Sequence, residues 1–241
     1  MTSERQQNQN VSAEKAPLLI LVGADKGGVG KTFVTRQLVE LLLARSINLR
    51  VFDTEHPDGV LTRFCKSAKI VDIEHTDGQM VVLDGLKTAA VTIIDVRAGI
   101  LSDTLVALRQ IGLLADVQAQ KVRLVVMHLI ENTDASLSEC GKTAGLMLDG
   151  GDHILVKNPG KATKFQWQDG LSEKYIAAIS PKSVLTIPNL DLTASEKVDE
   201  LGVTFAAFAA DESQSYVLRG RVNQWRNEVN AQFKIIRQIL G

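Results

Sequence analysis

The chain has 241 residues, of which 45% are hydrophobic and 23% charged, the balance of a globular protein long enough to bury a substantial core. Lys+Arg 27 against Asp+Glu 28 leaves a net charge of -1, which excludes a globally basic nucleic-acid coat while leaving room for a local basic patch. Two cysteines cannot build a disulfide framework, 5% aromatic residues argue against stacking platforms for single-stranded nucleic acid, and no apolar run approaches the ~20 residues of a membrane-spanning helix. With the polar opening MTSERQQNQN, which lacks the apolar stretch of a secretory leader, these features read as cytoplasmic.

Residues 1–16 are rich in Gln, Asn and Ser without periodicity and read as a disordered polar tail before a single domain over 17–241. The pattern changes at Leu18, where LLILVG is the continuously apolar run of a strand buried on both faces of a parallel sheet. A Gly-rich turn follows, then Val34, Leu38, Leu41 and Leu42 at helical spacing. RVFD predicts a second strand ending on an acid at Asp53. The strand pattern recurs in VTIID (91–95), RLVVMHLI (123–130), HILVKN (153–158) and SVLTIP (183–188), with stretches long enough for helices between them, such as Leu101 to Leu114. This alternation predicts an α/β fold: one three-layer domain with a mostly parallel sheet flanked by helices. Within a terminal amphipathic region of about 212–240, Arg219 to Leu240 reads as one long helix. Val222, Trp225, Val229, Phe233 and Ile236 recur along it at steps of three and four. Its basic residues are Arg219, Arg221, Arg226, Lys234 and Arg237, against one acid, Glu228.

The segment Gly23-Ala24-Asp25-Lys26-Gly27-Gly28-Val29-Gly30-Lys31-Thr32 lies between the first strand and the first helix, where a phosphate-binding loop has to sit. Glycines let backbone N–H groups converge on phosphate oxygens, and the helix N-terminus adds its positive end. In such a loop Lys31 neutralises the β- and γ-phosphates and the Thr32 hydroxyl coordinates Mg²⁺. The bland reading is a tight turn with a solvated lysine, and the flanking strand and helix argue against it.

The spacing G-x-x-x-x-G-K-[ST] needs Gly at position 25, where this chain has Asp25. Its KGGVGKT form, Lys26 to Thr32, resembles the deviant Walker A loop of the ParA/MinD family of P-loop ATPases. The resemblance implies a P-loop NTPase fold with ATP and Mg²⁺ as ligands and slow, partner-stimulated hydrolysis. It also implies a homodimer in the ATP state, in which Lys26 crosses the interface to the partner's nucleotide phosphates. Asp53-Thr54-Glu55 looks like the family's D-x-D segment, which gives Asp53 a role in supporting Mg²⁺ and Glu55 the orientation of the attacking water. Ile93-Ile94-Asp95-Val96-Arg97-Ala98-Gly99 resembles the Walker B strand and switch, with Asp95 as the outer-sphere Mg²⁺ carboxylate; Arg97 is unusual there, and its role stays open between γ-phosphate sensing and a solvated face. Asn158 stands where the family often places an Asn beside the adenine, although an Asn-Pro-Gly turn at a strand end explains it equally well. Ile187-Pro188-Asn189-Leu190-Asp191 is similar to the terminal segment whose backbone borders the adenine.

Cys65 and Cys140 are not placed like the paired cysteines of iron–sulfur relatives, and the four histidines show no metal-ligand spacing. Three readings of the basic terminal helix compete: packing on the sheet, a surface for non-specific DNA as in ParA-like proteins, and marginal membrane attachment through FKIIRQIL as in MinD. The expected function is therefore an ATP-dependent dimerising switch in partition or spatial positioning of DNA or other cargo, with a stimulating or cargo protein as partner. In its ATP state it would be nucleoid- or membrane-associated. The alternative is a metabolic P-loop ligase or kinase related to dethiobiotin synthetase, whose GTDT start is similar to Gly23-Ala24-Asp25 but lacks the Lys-Gly-Gly.

Overall fold

A computed structural model describes residues 15–131, 133–146, 150–158, 176–177 and 179–240; most of the expected polar tail, residues 1–14, lies outside them. The apolar runs become strands β1 (Leu18–Gly23), β2 (Leu49–Asp53), β3 (Ala68–Ile70), β4 (Val91–Asp95), β5 (Arg123–Ile130), β6 (Asp152–Lys157) and β7 (Ser183–Thr186). They form one parallel sheet in the order β3-β2-β4-β1-β5-β6-β7. The central β1 is buried at every residue, because helices cover both of its faces and neither can be polar.

On one face α1 (Lys31–Leu43) packs with its predicted stripe, Val34, Leu38, Leu41 and Leu42, all buried. The opposite face carries α2 (Thr76–Leu83), α3 (Leu101–Gln110), α4 (Leu113–Gln118) and α5 (Asp134–Gly145), whose apolar residues meet Leu19, Leu21, Ile94, Val126 and, for α5, Ile130 and Leu155. The chain then returns to the face of α1 with α6 (Leu192–Leu201), α7 (Phe205–Ala210), α8 (Tyr216–Gln232) and α9 (Lys234–Leu240). The result is the three-layer, mostly parallel arrangement that the alternation of elements predicted.

Three local features differ from the sequence expectation. The stretch Leu101 to Leu114 is two helices, because Gly112 takes a left-handed φ of 84° and starts a new turn. The terminal helix begins at Tyr216, where Ser215 accepts from the Leu218 N–H, and breaks at Phe233 (ψ 13°) into α8 and α9. The short β3, two of whose three residues are exposed, carries no apolar run and went unforeseen.

The apolar stripe of α8 and α9 is covered: Val222, Trp225, Val229, Phe233 and Ile236 are all buried in the cluster that includes α1 and the sheet. Phe33, Phe205 and Trp225 form a ring cluster with centroids 4.7 to 5.1 Å apart, and the Trp225 indole N–H donates to the Pro188 carbonyl at 2.8 Å. Packing on the core is thus what this face of the terminal helices does. Lys15 and Ala16 are tied to the same region: Lys15 Nζ donates to the Leu240 carbonyl at 3.0 Å, and the Ala16 carbonyl accepts from Arg123 Nε at 2.9 Å. Among the described residues no helix is long and apolar enough to cross a membrane.

The insertion of β4 between β1 and β2 positions the site. The register sets Asp53 opposite Asp95 and Asp95 opposite Val22, one residue before Gly23. Two acids and the Gly-rich turn therefore leave the sheet at one level of its carboxyl edge, the edge where open parallel sheets bind ligands.

Candidate functional site

Between β1 and α1 the chain turns through Gly28 (φ 76°) and Gly30 (φ 89°), left-handed positions that side chains rarely adopt. An added Cβ at Gly30 would also lie 2.2 Å from Asn158 Nδ2, so a larger residue would displace that side chain from the loop. Gly30 offers no side-chain cap to α1, so the N–H groups of the first turn are left to a ligand at the positive end of the helix. Lys31 Nζ folds back to the carbonyl of Lys26 at 3.3 Å, spanning the loop it would share with a phosphate. Burial lowers the Lys31 pKa, and the charges of Asp95, Glu55, Asp25 and Glu139 oppose that shift.

Asp25, the departure from the usual loop spacing, anchors the loop to the start of α3. Its Oδ1 accepts from the Ser102 N–H at 3.1 Å, and its Oδ2 accepts from the hydroxyls of Ser102 and, at 3.4 Å, Thr143. A glycine there would leave the loop without this tether.

Asp95, at the end of β4, is 3% exposed. Its Oδ1 accepts from the Thr35 hydroxyl at 2.9 Å, while Oδ2 is buried without a hydrogen bond of normal geometry. Burial pushes its pKa up to about 7, against the lowering influence of the Thr32 and Thr35 hydroxyls. An orphaned carboxylate oxygen beside the Thr32 hydroxyl fits a hard divalent cation, which takes oxygen ligands. Asp53 is different. Its Oδ1 accepts from the Glu55 N–H at 2.9 Å and its Oδ2 from the Leu61 N–H at 2.8 Å, so both oxygens already hold backbone at the two ends of one loop. Burial raises its pKa as well, opposed by the N–H groups of Glu55, Leu61 and Thr62. Thr54 joins the strand ends: its hydroxyl donates to the Asp95 carbonyl at 3.2 Å and accepts from the Arg97 N–H at 2.8 Å.

These groups surround a cavity of 410 Å³ lined by Gly27, Gly28, Gly30, Lys31, Thr32, Phe33, Asp53, Glu55, Asp95 and Arg97, among others. Most of the residues expected at a phosphate site are thus together. Four lie off the cavity wall. Val29 is buried beneath the loop. Asn158 donates through Nδ2 to the Val29 carbonyl at 2.7 Å, which makes it a support of the loop from the end of β6. Pro188 presents its carbonyl to Trp225. Lys26 pairs through Nζ with Glu131, while its N–H donates to Glu139 Oε1 at 2.8 Å. Arg97 lines the cavity, and its guanidinium pairs with Glu74.

Sequence reasoning passed over Ser102, Thr35, Glu131 and Glu139. Glu131 had a usable signal, since it directly follows β5 and the carboxyl ends of parallel strands line such sites. Glu139 had none, because only the docking of α5 brings it to the loop.

No family model matches this chain, and no curated protein matches it. Solved structures do. The crystal structure of a ParA family ATPase from Chlorobium tepidum TLS is similar at 14% identity and a TM-score of 0.56, over 88% of this chain and 98% of that one. The MinC:MinD cell division protein complex of Aquifex aeolicus is similar at 14% identity and a TM-score of 0.50, over 90% of this chain and 96% of that one. At such identities the likeness is one of fold: a single α/β domain of the kind those proteins share.

Proposed function

We propose that this chain is an ATPase of the ParA/MinD type, which binds Mg·ATP in the loop cavity, pairs with a second copy in that state and hydrolyses the nucleotide slowly. The observation that carries this reading is the convergence of an uncapped α1, the two left-handed glycines, Lys31 and the orphaned Asp95 oxygen at one point of the sheet edge. The backbone N–H groups of residues 27–32 would cradle the phosphates, with Lys31 moving from the Lys26 carbonyl onto them. Thr32 and Asp95 would hold Mg²⁺, whose charge offsets that of the phosphates during transfer.

Glu55 is exposed and lines the cavity, so its side chain can accept a hydrogen bond from an attacking water and orient it. Asp53 contributes by holding Glu55 in place through its backbone N–H. Asn158, which supports the loop through the Val29 carbonyl, and Pro188, which accepts from Trp225, would stand near the adenine on this reading. Lys26 would leave its own subunit to meet the partner's phosphates. The solved relatives named as ParA and as MinD in complex with MinC support a positioning role, with a stimulating or cargo protein as partner.

For surface attachment in the cytoplasm, the basic side of the terminal helices favours non-specific DNA over membrane. Their apolar face is spent on the core, while Arg221 and Lys234 are exposed. Nucleotide binding is the test of the site. Isothermal calorimetry with Mg·ATP should show binding to the wild type and none to Lys31→Ala, which loses the loop lysine that lines the cavity. Wild-type affinity in that variant would overturn the assignment.

A further inference from the structure

Lys26 is held three times within its own subunit. Its ammonium pairs with Glu131, its N–H donates to Glu139 at 2.8 Å, and its carbonyl accepts from Lys31 Nζ at 3.3 Å. Glu131 follows the end of β5 and Glu139 lies on α5, so two separate elements converge on one loop residue. The Lys26–Glu131 pair is 39% and 33% exposed at its side chains. A pair so open to water adds little to folding stability and breaks readily.

We propose that Glu131 is a counter-charge that holds Lys26 in its own subunit and sets the threshold for ATP-driven pairing of two copies. The proposal rests on the reading of Lys26 as a cation that crosses to the partner's phosphates. While Glu131 holds it, the lysine is neutralised at home and its charge is withdrawn from any facing surface. A triphosphate on the partner presents several negative charges and outcompetes one half-exposed carboxylate, whereas an empty partner site offers nothing in exchange.

Nucleotide in the same subunit loosens the hold as well. Lys31 must leave the Lys26 carbonyl to reach a phosphate, which removes one of the three tethers. Once Lys26 departs, the Glu131 carboxylate loses its counter-charge, a cost that is offset only when Lys26 finds phosphates on the partner. The device thus makes pairing depend on nucleotide in both copies.

The test uses the full chain and Glu131→Gln, a change of charge at constant shape. Acylation of Lys26 by an amine-reactive ester, read by peptide mass in the nucleotide-free monomer, should be faster in the variant. Sedimentation equilibrium with Mg²⁺ and a non-hydrolysable ATP analogue should show tighter pairing of Glu131→Gln, roughly three-fold for each subunit and about ten-fold for the symmetric pair. The double variant Lys26→Ala/Glu131→Gln should gain nothing over Lys26→Ala. Unchanged acylation overturns the proposal whatever the pairing does. Faster acylation with unchanged or weaker pairing overturns the threshold while leaving the contact. If wild type and Glu131→Gln both stay monomeric with the analogue, the cross-subunit reading of Lys26 fails, and the proposal with it.

Discussion

Glu55 stands at the mouth of the cavity on a loop whose two ends are fixed by one buried carboxylate, Asp53, through the Glu55 and Leu61 N–H groups. The division of labour between these acids was only half legible in the sequence. The D-x-E spacing points to the cavity, but whether a carboxylate faces metal, water or its own backbone depends on how the following loop closes. Here Gly59 packs so tightly against Asp53 that an added Cβ would lie 2.5 Å from Oδ2, which leaves that oxygen turned to the loop. Glu55→Gln should therefore retain Mg·ATP affinity and lower turnover by roughly 10²-fold, the scale of a lost water-orienting group. Phosphate release under saturating ATP, with affinity measured in parallel, checks this. A variant that turns over at the wild-type rate would remove Glu55 from the chemistry. Asp25 teaches the same lesson: as a sequence letter it only breaks the expected spacing, and its meaning is the Ser102 contact 77 residues away.

At the scale of elements, β5 and β6 share a buried histidine pair that periodicity could not assign. His128 is 1% exposed, and its Nε2 meets His153 Nδ1 at 2.9 Å across the strand pair. Burial, and next the neighbouring His153, hold the His128 pKa down at about 3. The unfolded chain returns it to near 6.5, so between those values the unfolded state binds the extra proton. The sign follows: the contribution to stability is whole above pH 6.5 and is lost as pH falls toward 3. Lowering the pH from 7.5 to 5.5 should thus cost about 1.4 kcal/mol from this group. Asp95 works in the opposite direction, its raised pKa favouring the folded state at lower pH, so the comparison must be made between variants. Thermal unfolding of wild type and His128→Gln at both pH values checks it, with a smaller acid-induced drop expected in the variant. An equal drop in both would show that His128 is not the source.

Helix boundaries tell a related story. The break at Gly112 has a visible cause in its sequence, whereas the break at Phe233 does not, because the apolar stripe runs on through Phe233 and Ile236 without losing phase. Strands buried on both faces were legible as unbroken apolar runs. The short β3, with Lys69 and Ile70 exposed at the sheet edge, had no such run to show.

For the whole molecule, the near-balance of charge conceals a local arrangement. Lys31, Arg97 and Glu55 line the cavity, and Lys26 lies beside it in the loop; Lys26 is paired with Glu131 and Arg97 with Glu74. Composition cannot reveal this, since the partners come from segments more than a hundred residues apart in one case and 23 in the other. On the proposed function, a chain so arranged would exchange internal pairs for phosphate contacts, and the consequence at this scale would be assembly. In a water-poor interface between two nucleotides, an ammonium–phosphate contact is much stronger than the surface pair it replaces. The measurement that bears most directly on this account is sedimentation velocity of the full chain with Mg²⁺ and a non-hydrolysable ATP analogue, beside ADP and beside Lys26→Ala. The account predicts a dimer with the analogue, a monomer with ADP, and a Lys26→Ala protein that binds the analogue yet remains monomeric. A wild type that stays monomeric with the analogue, or a Lys26→Ala variant that dimerises as well as the wild type, would contradict it.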